Sequence, residues 1–170
     1  GAYLLAGSSL CGGKAYALLE KFFREFVKEA TGQEKPLYKT LEKLAGDGKA
    51  SCTGRENRKK LQIETTFDGT RVHPEQTGSI TNLSTDNFTP AAFVYGTLEG
   101  MSRELYQMYQ TIQNGTGMQI KRMIGSGNGL RKNPVLCEIV EEMFGAKLAL
   151  AECEEEAATG AALSSMQQDE

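Results

Sequence analysis

The segment Ile124-Gly-Ser-Gly-Asn-Gly-Leu-Arg-Lys-Asn-Pro-Val-Leu136 holds the residue types best suited to receiving an anion. Glycines at the carboxyl end of a strand let a ligand come close to backbone, and a helix amino terminus follows. Unpaired amide donors and the positive end of the helix dipole favour phosphate there. Asn133 is the natural N-cap and Pro134 suits the first helical position. In parallel sheets, ligands gather at this edge. Spacing alone leaves two readings open: a phosphate-binding bend, formed by Gly125, Ser126, Gly127, Asn128 and Asn133, or a tight connection that binds nothing.

Two phosphate-binding fingerprints come near and fail. The dinucleotide pattern places GxGxxG at the opening of a helix, whereas Gly125, Gly127 and Gly129 recur at every second residue and Leu130 to Asn133 then intervene. Glu152, after the next strand, stands about where a ribose-binding acid would, so a Rossmann-like oxidoreductase domain remains the runner-up. The stretch Gly7-Ser-Ser-Leu-Cys-Gly-Gly-Lys-Ala15 likewise runs from a strand into a helix. A P-loop needs glycine where Ser8 stands and a hydroxyl where Ala15 stands, so packing of a helix start is the better account.

Other reactive side chains are sparse. His73, the sole histidine, shares the loop Phe67 to Gly78 with Asp68 and Arg71, which we read as loop staples. Cys11, Cys52, Cys137 and Cys153 form no CxxC pair, which excludes the usual zinc spacings and argues for free thiols in a reducing cytoplasm. No carboxylate stands out as a catalytic base. Sequons at Asn82, Asn87 and Asn114 lack a secretory signal and are read as chance.

The elements that must position these groups follow from periodicity and punctuation. A strand is expected at Ala2 to Gly7, where the chain opens without Met in an apolar run, as a piece of a longer protein would. A helix from Gly12 to about Ala30 shows an apolar face of Ala15, Leu18, Leu19, Phe22, Phe23, Phe26 and Val27, closed by Gly32. A shorter helix covers Lys35 to Leu44, and Gly46 to Lys60 reads as a polar loop that includes the basic cluster Arg55, Arg58, Lys59 and Lys60. Strands follow at Leu61 to Thr65 and Ser79 to Leu83. Asn87 or Thr89 caps a long helix from Pro90 to about Gln113, with Val94, Leu98, Met101, Leu105, Met108 and Ile112 inward and Asn114-Gly115 as its end.

The last third reads as a strand at Met118 to Ile124, the glycine bend, a helix at Pro134 to Phe144, a strand at Lys147 to Leu150 and a small-residue helix at Glu154 to Met166. Strand, crossover helix and strand predict parallel pairing.

At 170 residues the chain can bury a core, and 39% hydrophobic with 24% charged residues is ordinary globular composition. A formal charge of -3 leaves no basic footprint for nucleic acid or anionic lipid. No apolar run approaches the roughly 20 residues that span a bilayer. The run at residues 2 to 7 offers an unpaired edge to another copy, so a homo-oligomer stays open.

Three segments, in order, resemble the FGGY carbohydrate kinases. They are Phe67-Asp-Gly-Thr-Arg-Val-His-Pro with Gly78-Ser-Ile-Thr-Asn-Leu, then Phe88-Thr-Pro through Leu98-Glu-Gly100, then Gly125-Ser-Gly-Asn-Gly to Asn133-Pro with Phe144-Gly145 and Glu155-Glu-Ala-Ala-Thr-Gly-Ala-Ala-Leu163. Ala6-Gly-Ser-Ser-Leu-Cys-Gly-Gly13 looks most like the sedoheptulokinase and xylulokinase branch. The resemblance covers nearly the whole chain, residues 1–170, as an FGGY-type C-terminal domain incomplete at its N-terminal side. It implies an α/β, actin-like, ribonuclease-H-like ATPase fold and an ATP-dependent kinase of a ketose or related polyol. Gly125, Ser126, Gly127 and Asn128 would face the α-phosphate and ribose, and Asn133 the adenine or its ribose. The catalytic Asp, the ligands of Mg2+ and the sugar contacts would lie in an N-terminal domain preceding residue 1, leaving no catalytic and no metal residue here and no turnover by this chain alone. A non-catalytic interaction module of the same fold is the third reading.

Overall fold

The computed structural model describes residues 4–53, 60–152 and 156–166. The chain folds as two compact units, residues 1–119 and 120–170.

In the first unit, α1 (Gly12–Thr31), α2 (Tyr38–Thr53) and α3 (Pro90–Thr116) accompany an antiparallel pair, β1 (Gln62–Glu64) and β2 (Ser79–Thr81), with Ile63 opposite Ile80. Its core is Ala15 of α1, Leu41 and Ala45 of α2, Leu61 and Ile63 around β1, and Val94 and Leu98 of α3. Small residues on α3 make this packing possible. A Cβ at Gly100 would collide with the Ile63 carbonyl oxygen, and one at Gly96 would stand 3.3 Å from Ile63 Cδ1. Thr89 caps α3, its hydroxyl accepting from Ala92 N at 3.2 Å. Asn87 instead holds the preceding turn, accepting from Ser84 N and donating to the Asn82 carbonyl.

Several expectations for this unit are corrected. Leu4 to Gly7 forms no strand: these residues pair with nothing in the described backbone, and Leu4 is 92% exposed. An apolar run becomes a strand only beside a partner that completes its ladder. The helix expected to stop at Leu44 continues to Thr53. Gly48 lies so close to α3 that a Cβ there would collide with the Ala91 carbonyl and Tyr95 Cβ, and that contact outweighs the roughly 1 kcal/mol that glycine costs a helix. Arg55, Arg58 and Lys59 fall outside the described residues.

Likewise α3 runs through Asn114-Gly115 and ends where Gly117 takes φ 70°, its amide donating to the Gln113 carbonyl at 2.7 Å. Only one of the two glycines adopts the left-handed turn, and that one sets the end. The apolar face of α1 is also less buried than its periodicity predicts. Ala15 is fully enclosed, but Leu18, Phe22 and Phe26 are exposed at 40, 66 and 71%. Amphipathicity shows which face is apolar and says nothing about what covers it.

The second unit follows the predicted order, but the strand expected from Met118 begins only at Met123, and a short helix stands inside the expected glycine turn. Strand β3 (Met123–Gly125) leads through the short α4 (Asn128–Arg131) to α5 (Pro134–Phe144), β4 (Leu148–Leu150) and α6 (Glu156–Met166). Strands β3 and β4 are parallel, with Ile124 beside Ala149, and Gly125 O accepts from Ala151 N at 2.8 Å. Leu136, Ile139 and Val140 form the buried face of α5. Gly145, at φ 64°, ends that helix. The Glu141 carboxylate accepts from Leu148 N at 2.8 Å and Lys147 Nζ at 3.2 Å, tying α5 to β4. On α6, the small face Ala158, Gly160, Ala161 and Ala162 is exposed.

Candidate functional site

The glycine bend begins where β3 ends. Gly125 is buried, and a Cβ there would stand 2.7 Å from Leu130 Cδ1 and 3.0 Å from Leu148 Cδ1. That glycine is needed for close packing inside the unit. Gly127 differs. Its backbone sits at φ 91°, ψ 158°, a region essentially reserved for glycine, yet a Cβ there would meet nothing within 4 Å. Gly129 is equally open and has ordinary dihedrals. Ser126 and Asn128 are exposed beside them. Space is therefore open where a Cβ would stand at Gly127 and Gly129, and a glycine-only backbone conformation at Gly127 stands at the centre of the bend.

Asn133 closes the bend from below. It is 6% exposed, and its Oδ1 accepts from Leu136 N at 3.1 Å, as an N-cap should. The oxygen is thus turned toward its own helix. The Leu130 carbonyl accepts from Asn133 N at 3.3 Å and from Cys137 Sγ at 3.2 Å, joining α4 to the first turn of α5. Burial pushes the Cys137 thiol above its ordinary value, with the Glu141 carboxylate adding to the shift. The thiol is therefore a neutral donor near pH 7. Nothing in the sequence pattern pointed to Cys137; only the helical return that brings it beneath Leu130 reveals it.

The other glycine-rich bend is filled. Ser9 Oγ accepts from Gly12 N at 2.8 Å and Cys11 N at 3.2 Å, occupying the amides at the start of α1. Lys14 Nζ is bound by both Asp68 oxygens, at 2.8 and 3.0 Å, which raises the lysine pKa and makes Asp68 a loop staple. A Cβ at Gly7 would press on Met108. Burial also raises the Cys11 thiol, with the Asp68 carboxylate second.

A groove of about 330 Å³ in the first unit is lined mostly by apolar side chains, including Leu18, Phe22, Ile63, Phe67, Ile80 and Phe93. It offers nothing suited to a phosphate. Among the described residues, no group of three or more His, Cys, Asp or Glu could hold a metal ion. Nor is any described helix long and apolar enough to cross a membrane.

Residues 1–167 match the C-terminal domain of the FGGY family of carbohydrate kinases. Among solved structures, the xylulose kinase from Rhodospirillum rubrum shares the fold at TM-score 0.62 and 20% identity, over 81% of this chain and 25% of that one. The xylulose kinase from Bifidobacterium adolescentis gives 0.59 and 17%, over 84% and 25%. Plasmodium falciparum glycerol kinase with ADP gives 0.60 and 16%, over 81% and 26%. The chain thus spans about a quarter of the length of these solved structures. No curated protein matches it. Nothing in these likenesses supports the dinucleotide-oxidoreductase reading; the mixed helix-and-sheet fold is that of sugar kinases in the actin-like ATPase group. On the match over residues 1–167, the chain belongs to the FGGY family of carbohydrate kinases and forms its C-terminal domain.

Proposed function

We propose that this chain is the nucleotide-binding part of an ATP-dependent kinase acting on a ketose or related polyol in the cytoplasm. In this reading, Gly125, Ser126, Gly127 and Asn128 receive the phosphate and ribose end of the nucleotide, and the Asn133 amide reaches toward its base or ribose. The observation that carries the reading is Gly127, held at φ 91° with open space where its Cβ would stand. Exposed backbone donors at the carboxyl edge of a parallel strand pair suit an anion.

ATP, when bound, supplies the phosphoryl group that is transferred. This chain's own residues bind and orient it, and freedom from side chains over Gly127 and Gly129 admits the diphosphate. Mg2+ is expected of the family with its ligands in the rest of the kinase, and no step is assigned to it. Sugar contacts and the proton-accepting group are assigned to the rest of the kinase, since the solved structures it resembles are about four times as long. The two compact units would together form one C-terminal domain, incomplete at its N-terminal side, with no turnover by the chain alone.

Titration of the protein with ADP and, separately, with NAD tests this reading. ADP is expected to bind and NAD to bind at least tenfold more weakly, about 1.4 kcal/mol; a preference for NAD overturns the assignment. Gly129→Leu sharpens the result, because the site tolerates a side chain structurally while a ligand lying on it would not. Unchanged ADP affinity in that variant would favour a non-catalytic interaction module.

A further inference from the structure

We infer that Cys137 is a positioning residue for the nucleotide bend. The inference rests on the nucleotide reading above and adds to it a residue outside the glycine motif.

Leu130 ties both sides of the bend together through side chain and backbone at once. Its side chain lies over Gly125 beside Leu148, where Cδ1 would stand 2.7 Å from a Cβ at Gly125. Its carbonyl accepts from Asn133 N at 3.3 Å and from the Cys137 thiol at 3.2 Å. Asn133 and Cys137 are in turn joined, Cys137 N donating to the Asn133 carbonyl at 3.3 Å. The thiol therefore anchors the end of α4 to the rigid first turn of α5, whose Leu136 is buried. From that anchored end, Arg131 N and Lys132 N reach back to the carbonyls of Gly127 and Asn128 at 3.2 and 3.1 Å. A chain of hydrogen bonds thus runs from Cys137 to the residue with the contorted backbone. A Cβ at Gly127 would meet nothing within 4 Å, so no side-chain crowding at its Cα fixes this backbone. Its conformation is tied to its neighbours, and the Cys137 thiol is a side-chain donor to the Leu130 carbonyl. A sulfur donor is weak, so its role is to choose the bend's geometry rather than to stabilise the unit.

The test compares wild type with Cys137→Ala, Cys137→Val and Cys137→Ser in the intact protein carrying this chain. ADP affinity is measured alongside amide hydrogen exchange of residues 126–130 without nucleotide. Alanine and valine, which lack a donor, should weaken ADP binding about three- to tenfold and speed exchange in the bend, the size of effect one net hydrogen bond gives. Serine restores a donor and should return both readings to within about twofold of wild type. Valine keeps the volume, so a role in packing alone would leave it like wild type and would overturn the inference. So would serine behaving as badly as alanine, or ADP binding that ignores all three substitutions. If wild type itself binds no ADP, the nucleotide reading fails and this inference with it; ADP binding indifferent to Cys137 sinks this inference alone.

Discussion

Two bends in this chain run from an extended segment through clustered glycines into a helix, and they have opposite fates. Around Gly7 to Gly13 the molecule fills the bend itself: Ser9 occupies the amides that open α1, and Lys14 is held by Asp68. Around Gly125 to Gly129 the start of α5 is capped by Asn133 from below, while Gly127 and Gly129 stay clear of other side chains. Glycine content is therefore no guide to an anion site. What distinguishes the two is that Ser9 takes the Cys11 and Gly12 amides whereas no side chain caps α4 at Gly127, and a donor in use cannot also bind phosphate.

Substitutions can break this comparison, beginning with the most damaging. Gly127→Ala should destabilise by about 2 kcal/mol through backbone strain alone, read as a lowered urea midpoint, and should also weaken ADP binding. A wild-type midpoint would mean that the bend relaxes freely and is not pre-shaped. Ser9→Ala should cost about 1 kcal/mol, the net worth of the backbone hydrogen bonds its hydroxyl accepts ahead of α1, with ADP affinity untouched. If ADP binding fell as well, the first bend would be part of the nucleotide site and the contrast would fail. Gly129→Ala should leave stability within about 0.5 kcal/mol or raise it slightly, because the added methyl meets open space within a helical turn.

The smallest effects divide the two bends by pH. Lys14 has its pKa raised by Asp68, so its contribution is complete below the unfolded lysine value and disappears as pH rises through the folded one. Glu141, beside the second bend, has its pKa lowered by the Leu148 amide and then by Lys147. Its contribution is present above the unfolded carboxylate value and is lost as pH falls through the folded one. Lys14→Met should therefore flatten only the alkaline limb of a stability profile, and Glu141→Gln only the acid limb. Both groups are solvent-accessible, so salt should shrink both effects.

The second unit was far more legible than the first. Asn133, Pro134 and Gly145 bracket α5 at the residues where the structure begins and ends it, because capping chemistry acts within one turn. Parallel pairing of β3 and β4 followed from strand, helix and strand in succession. In the first unit, the extensions of α2 to Thr53 and α3 to Thr116 were missed because glycines that usually punctuate were carried inside helices. At Gly48 a contact from a distant helix decides the matter, and no local pattern announces it.

Local chemistry written in the chain determined where helices cap, which faces are apolar, and which family the ordered motifs resemble. Those properties depend on neighbours a few residues away. Tertiary structure alone decided that Lys14 reaches Asp68, that Leu18 and Phe22 on α1 stay exposed, and that Cys137 reaches the Leu130 carbonyl. Each of these is set by groups that folding brings together, and hydrogen bonds and packing act through distance in space rather than along the chain.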